Sequence, residues 1–422
     1  RKINWWRGLL NNKKLEQISV KSGKSNYGLD ISNNMNKDDV IISGLTREYP
    51  EFEYTTNEMI EILGNKLSED VKENIFQLGV KNRHFIRPFE QYISDSGKPV
   101  KSKEDGEPIS ELCVKVAEKC LENLNLKKND ITCIVTAYED NDFLSPGLSS
   151  ILLTKLGLSK FIPHFNIQGM ACSTLPKLLE LGKNFIHNPE DKILFVISGC
   201  NSGWYLPHLK DDKAVKNPSE ISKDQYDRKQ QISKWVSTMF SFLFGDGVAA
   251  FVMSMNELEQ ISVKIGKITH AVNFNDTDYR KACVRLVGNP GDHMYEYELT
   301  AGSDILNRTL DYSKKVLNVS LGKDVEDFDE RLAEKFMENQ KKIMIHTGSL
   351  KILGGLQNLY KLEKNQVLES FDTLEQYGNL TGVSIPTVLD KAMFENKTIS
   401  GNGLLVGITM GFGLDIVEVE KI

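Results

Sequence analysis

Phe165-Asn166-Ile167-Gln168-Gly169-Met170-Ala171-Cys172-Ser173 is the stretch on which the reading of this chain turns. A short mixed run predicts a strand that ends here, and Thr174 to Ile186 follows with a helical pattern. A thiol at a strand-to-helix junction meets the positive end of the helix dipole, which lowers its pKa and favours the nucleophilic thiolate. Far downstream stand Ile345-His346-Thr347-Gly348 and Tyr377-Gly378-Asn379. A thiolate, an imidazole and a carboxamide, each on a turn of small residues, are the parts needed to carry an acyl group and to stabilise an enolate.

Around these turns, strand and helix patterns alternate. Val40-Ile41-Ile42-Ser43-Gly44 predicts a buried strand, as do Ile131 to Ala137, Ile193 to Ser198 and Val248 to Met253. Asn57 to Leu67 and Ser110 to Leu126 predict amphipathic helices. The second part repeats the theme, with a strand-like run at 261–272, helices at 304–317, 327–339 and 347–359, a short strand Lys342-Ile343-Met344-Ile345 before His346, and two closing strands. Such alternation argues for a layered α/β fold. Each half places a reactive residue just after a strand, as a duplicated fold sharing one cleft would, although no sequence repeat is visible. Residues 1–38 read as an N-terminal extension and linker, 39–255 as a first half with the cysteine, and 256–422 as a second half with the histidine and asparagine. Residues 210–235, rich in Lys, Asp, Ser and Gln, read as a surface insertion.

The 422 residues, 40% hydrophobic and 26% charged, allow a large core. A net charge of −6 with no strongly basic lobe argues against nucleic acid as the main partner. The six cysteines form no CxxC pair, so no metal site is expected, and a reducing, cytoplasmic setting fits them. Cys113 and Cys120, seven apart on a helical pattern, are expected to face the core. No apolar run reaches the length of a membrane span. The chain begins at Arg1 rather than Met, which leaves a preceding targeting segment open.

Several motifs, in order, resemble those of the thiolase-fold condensing enzymes, in the group of the chalcone-synthase-like type III polyketide synthases and ketoacyl synthase III. They are the segment Phe165 to Ser173, then Leu243-Phe244-Gly245-Asp246-Gly247-Val248-Ala249-Ala250, His346-Thr347-Gly348, Gln376-Tyr377-Gly378-Asn379-Leu380-Thr381 with Pro386, and Met410-Gly411-Phe412-Gly413. The resemblance covers roughly residues 39–422. It implies a five-layer αβαβα fold built from two duplicated halves, and a homodimer. It implies Cys172 as the acyl-accepting nucleophile. His346 and Asn379 would hold a thioester carbonyl while a malonyl-type extender loses CO₂. The activity it implies is that of a ketosynthase-type acyltransferase giving a β-ketoacyl or polyketide product. No permanent cofactor is implied, and the substrates would be thioesters of coenzyme A or of an acyl carrier protein. A non-decarboxylating acyltransferase acting on an alcohol or amine, or a non-catalytic partner subunit of a biosynthetic complex, are the alternatives.

Other roles follow from the same resemblance. Phe244 matches a gatekeeper phenylalanine, and a second gatekeeper position falls at Ala301. Trp204, Tyr205 and Met410 are candidates to line the substrate pocket. Ser145 lies in the loop Asp140 to Gly147, which matches a segment that crosses to the partner's cavity. Lys81, Arg83 and Arg87 resemble a basic segment that meets coenzyme A phosphates or an acidic carrier protein. Phe244-Gly245-Asp246-Gly247 is expected to be structural, a tight turn whose aspartate satisfies backbone donors. The chain departs from the family at Leu175-Pro176, at Ala301 and at Leu414-Asp415, so its starter pocket should differ in shape.

Overall fold

The structure is a computed structural model. It describes residues 40–422 apart from 94–107, 144, 207–208, 210–213, 222–224, 260, 273, 276, 281, 288–293, 300–301, 397 and 399. The N-terminal extension and Ala301 therefore lie outside the described residues. Both expected halves fall in one unit, residues 37–422. Thirteen strands are seen among the described residues: β1 Ile41–Glu48, β2 Phe52–Thr55, β3 Asn82–Phe85, β4 Cys133–Ala137, β5 His164–Ile167, β6 Ile193–Ser198, β7 Val248–Ser254, β8 Val263–Ala271, β9 Ala282–Val287, β10 Met294–Leu299, β11 Lys342–Ile345, β12 Gly401–Thr409 and β13 Gly413–Lys421.

Nine of them form one sheet in the order β11-β12-β13-β8-β1-β7-β6-β4-β5. The five strands of the first half and the four of the second meet along a short seam, where β1 pairs antiparallel with β8 through Ile41 with Lys264 and Ile42 with Val263. Parallel pairing of β4 with β5 and β6, and of β11 with β12, sits at equivalent places in the two halves. The remaining strands make two antiparallel pairs, β2 with β3 and β9 with β10.

The strand sequences show why helices cover both faces. Along β6, Leu194 and Val196 enter one apolar cluster while Phe195 and Ile197 enter another. Along β12, Leu404 and Val406 face one cluster and Leu405 the other. A strand apolar on both faces must be covered twice. On the outer face of the first half lie the helices Ile109–Asn123 and Leu148–Lys155, which bring Leu112, Val116, Cys120 and Leu152. On the outer face of the second lie Gly302–Ser320, Leu350–Leu359 and Lys364–Tyr377, with Val316, Leu353 and Val367. Between the two half-sheets run Thr174–Phe185 and Ser384–Leu389, whose Leu175, Leu178, Val388 and Leu389 share one cluster with strands of both halves. The layers are thus helix, sheet, helix, sheet, helix, which is the thiolase-like architecture. Each fully buried leucine contributes about 2 kcal/mol relative to exposure.

Boundaries shift where caps act. The expected helix at 57–67 stops at Leu63, where Gly64 takes a φ of 52°. The helix expected from Thr347 starts at Leu350, because the Ser349 hydroxyl caps the Ile352 N–H at 3.3 Å. Much of the expected insertion belongs to a 19-residue helix, Gln225–Leu243, whose end packs inward through Val236, Met239, Phe240 and Leu243. Cys113 and Cys120 are fully buried, as their spacing suggests.

Candidate active site

The nucleophile turn is built from alternating backbone conformations. Gly169 has a φ of 77°, Met170 is right-handed, and Ala171 has a φ of 42°. Ala171-Cys172-Ser173 then forms a 3₁₀ turn, and the α-helix starts only at Thr174. Cys172 is 8% exposed, and its thiol is hydrogen-bonded by the Asn379 side chain. The sequence expectation was a lowered thiol pKa. Burial instead pushes it up to about 12, with the Glu139 carboxylate adding to the rise and the Asn379 hydrogen bond opposing it. Desolvation is the largest of these effects, because it disfavours the charged thiolate.

Asn379 is the most firmly held group of the three. It follows Gly378, whose φ is 71°, at the end of the helix Lys364–Tyr377. Its N–H donates to the Leu243 carbonyl at 2.8 Å, and its carbonyl accepts from the Gly245 N–H at 3.2 Å. The Phe244-Gly245 turn therefore buttresses it. The side-chain Oδ1 accepts from the Thr381 N–H at 2.9 Å and the Ser384 hydroxyl at 3.4 Å. A backbone N–H can only donate, so this fixes which end of the amide is oxygen. The NH₂ end, a pure donor, is left for the cleft and for Cys172.

His346 follows β11 directly, and its N–H donates to the Val406 carbonyl at 2.9 Å. It is 1% exposed, and burial alone lowers its pKa to about 3, so the ring is neutral at ordinary pH. A neutral imidazole keeps one N–H donor and one acceptor nitrogen. The three turns are cross-linked. The Thr347 hydroxyl lies 2.9 Å from Ser384 Oγ, the same oxygen that reaches Asn379. The Leu380 N–H donates to that oxygen at 2.9 Å. At the far end of β12, the Thr409 hydroxyl donates to the Met170 carbonyl at 3.2 Å.

The other expected site residues divide. Phe244 is buried, forms an isolated parallel bridge with Asn379, and meets the Tyr205 ring tilted at 5.5 Å and the Phe240 ring edge-on at 5.0 Å. Tyr205 is buried, while Trp204 and Met410 are half-buried against the same cluster. Ser145 is exposed, just before a cis proline at 146. The basic segment does not form one surface patch. Arg83 is fully buried, and donates to Thr56 Oγ1 at 2.7 Å and to the Phe242 carbonyl at 3.1 Å. It cannot meet a phosphate at a tunnel entrance, which corrects the sequence expectation. Lys81 is exposed and ion-paired with Glu375, and the Arg87 guanidinium lies 6.0 Å over the Tyr92 ring. Asp246 acts as expected of a structural turn. It accepts from the Ile86 N–H at 3.0 Å, the Ser202 N–H at 3.1 Å and the Ser202 hydroxyl at 2.5 Å.

Two residues of the site were missed in the sequence, Glu139 and Ser384. The second lies in a backbone repeat of the nucleophile turn. Ala171-Cys172-Ser173-Thr174-Leu175-Pro176 and Thr381-Gly382-Val383-Ser384-Ile385-Pro386 fold alike. Each opens on a non-glycine residue at positive φ, 42° and 49°, runs through a 3₁₀ turn and enters an α-helix at Thr174 or Ser384. Gly382 stands where Cys172 does. A Cβ there would lie 2.8 Å from Thr174 Oγ1, so the two helix starts pack against each other.

The layered αβαβα fold is that of the thiolase-like synthases, and the chain is similar to ketoacyl synthase III and to type III polyketide synthases, relatives that support a condensing transferase. No protein-family model matches it. It is 25% identical over 318 residues to the β-ketoacyl-[acyl-carrier-protein] synthase III of Sulfurimonas denitrificans, covering 74% of this chain and 84% of that protein. It is 22% identical over 378 residues to the phloroglucinol synthase of Pseudomonas fluorescens, covering 88% of this chain and 96% of that one. The type III polyketide synthase domain of Steely1 from Dictyostelium superposes with a TM-score of 0.67 at 18% identity, over 91% of this chain and 99% of that domain. No described helix is long and apolar enough to cross a membrane.

Proposed function

We propose that the protein is a ketosynthase-type acyltransferase. Cys172 sulfur attacks an acyl thioester of coenzyme A or of an acyl carrier protein. A C–S bond forms, the donor thiol leaves with a proton, and the acyl group rests on Cys172. A malonyl-type thioester then loses CO₂, and its carbonyl oxygen becomes an enolate oxygen stabilised by the Asn379 NH₂ and a neutral His346 N–H. The enolate carbon attacks the acyl carbonyl, a C–C bond forms, the C–S bond to Cys172 breaks, and the sulfur regains a proton. Phe244, Tyr205, Trp204 and Met410 line the acyl pocket in this reading, and exposed Lys81 and half-buried Arg87 are the remaining basic groups for an anionic donor. The two halves meeting at about residue 255 are the lobes that share the cleft.

The observation that carries the reading is the amide of Asn379, whose oxygen is engaged by Thr381 and Ser384 while its donor end reaches Cys172. We also propose a homodimer joined at β5. This strand ends the sheet, His164, Phe165 and Asn166 on it are exposed, and Phe161 just before it is 97% exposed. An open edge with two exposed phenylalanines, Phe161 and Phe165, invites pairing with a second copy. Intact-protein mass spectrometry after incubation with acyl thioesters tests the chemistry. An acyl adduct should appear on the native protein and be absent from Cys172→Ala. An adduct of equal yield on Cys172→Ala would refute the assignment.

A further inference from the structure

The half-buried carboxylate of Glu139 has no part in the chemistry above. It stands just past β4, two residues after Ala137. Its Oε2 accepts from the Gly169 N–H at 3.0 Å and its Oε1 from the Ala171 N–H at 2.7 Å, with the Met170 N–H adding a third interaction. Left-handed Gly169, right-handed Met170 and left-handed Ala171 turn successive N–H groups to one side. This is the backbone concavity that binds anions. Here the chain fills it with its own carboxylate. Ala171 holds a φ that L-residues rarely adopt, and the hydrogen bond from its N–H helps to keep it there.

We propose that Glu139 is a positioning residue for the nucleophile: seated on the backbone N–H groups ahead of Cys172, it fixes the turn that aims the sulfur and sets a negative charge beside it. The inference rests on Cys172 being the nucleophile. The Glu139 charge opposes a second one on sulfur, adding to the effect of burial. The neighbouring groups do not cancel it. Asn379 is neutral, and burial keeps His346 neutral. Asp140, the next residue, turns its carboxylate to the Asn141 N–H at 2.9 Å and feels Asp142 and Arg87. On the other side of the helix start, Lys177 and His270 both bind Asp415, at 2.8 and 2.7 Å. The resting enzyme therefore holds a thiol guarded against oxidation and stray alkylation. The reactive sulfur forms as its proton leaves during acyl transfer.

The test is the pH profile of Cys172 alkylation by iodoacetamide, followed by intact mass. Glu139→Gln keeps the shape and one acceptor oxygen but removes the charge. Its alkylation rate at pH 8 should rise about tenfold, as a thiol pKa lower by about one requires. Asp140→Asn removes a neighbouring charge that does not touch the concavity, and should leave the profile where it was. Glu139→Ala removes charge and acceptors together, so it should alkylate faster yet accept an acyl group from a thioester more slowly, with Glu139→Gln recovering most of that loading. A Glu139→Gln profile matching the native one, or slower alkylation, overturns the proposal. If the alanine variant does not fold, the glutamine profile still decides. Should Cys172→Ala still load acyl groups, the nucleophile assignment fails instead, and the two failures are told apart.

Discussion

Ser384→Ala tests whether the asparagine is set by its neighbours or by its own turn. The Ser384 oxygen accepts from the Leu380 N–H at 2.9 Å, meets the Thr347 hydroxyl at 2.9 Å and donates to Asn379 Oδ1 at 3.4 Å. Alanine removes all three. Thr347 keeps the Gly378 carbonyl at 3.2 Å, and Asn379 Oδ1 keeps the Thr381 N–H at 2.9 Å. The Leu380 N–H has no such substitute, and Leu380 is fully buried. An unpaired buried donor costs about 1–3 kcal/mol, which sets the expected loss of stability in a urea titration. The Asn379 amide oxygen then retains one partner of two. CO₂ release from a malonyl thioester should fall about tenfold, less than for loss of the amide itself. Acyl loading on Cys172, read by mass spectrometry, should stay near the native rate. Native CO₂ release from the variant would show that Ser384 does not hold the amide. An equal fall in loading and release would show general damage rather than loss of one donor.

Asn379→Ala should leave loading of Cys172 largely intact and slow CO₂ release by a factor of about a hundred or more, measured on the same malonyl thioester. For His346 the sign follows from burial. The unfolded ring takes up a proton near 6.5 while the folded ring does so only near 3. Its contribution to stability is therefore complete above pH 6.5 and is lost as pH falls towards 3. His346→Gln should flatten the acid side of the stability profile measured by urea unfolding. A constant difference between native and variant from pH 7 to pH 4 would refute it.

The sheet strands were the most legible part of the sequence, because strands covered on both faces are apolar at successive residues, as in Ile193-Leu194-Phe195-Val196-Ile197. The positions of Cys172, His346 and Asn379 were legible too, since each follows an element end marked by small residues. Their electrostatics were not. The thiol's proton affinity depends on desolvation by both halves and on a carboxylate 33 residues upstream, and neither has a local signal. The repeat relating Cys172 to Gly382 was hidden because only the terminal proline is identical between the two six-residue stretches. What the halves share is a backbone path, with a left-handed residue ahead of a buried helix.

The basic run Lys81 to Arg87 shows the same limit from another side. Read as sequence, it is a charged surface. In the structure Arg83 reaches from β3 into the core. It donates to Thr56 Oγ1 and to the Phe242 carbonyl, and burial lowers its pKa to about 9. On one side of it the Lys81 N–H donates to the Glu375 carbonyl at 2.7 Å, tying β3 to the helix that ends at Gly378. On the other the Asp246 N–H donates to the His84 carbonyl at 2.8 Å, tying it to the Phe244-Gly245 turn. Those two elements are the ones that fix the Asn379 backbone. A guanidinium can satisfy several neutral acceptors from one rigid fork, which an ammonium cannot do in the same geometry. The guanidinium therefore sits inside the fold, on carbonyls and a hydroxyl, although its sequence setting pointed outward.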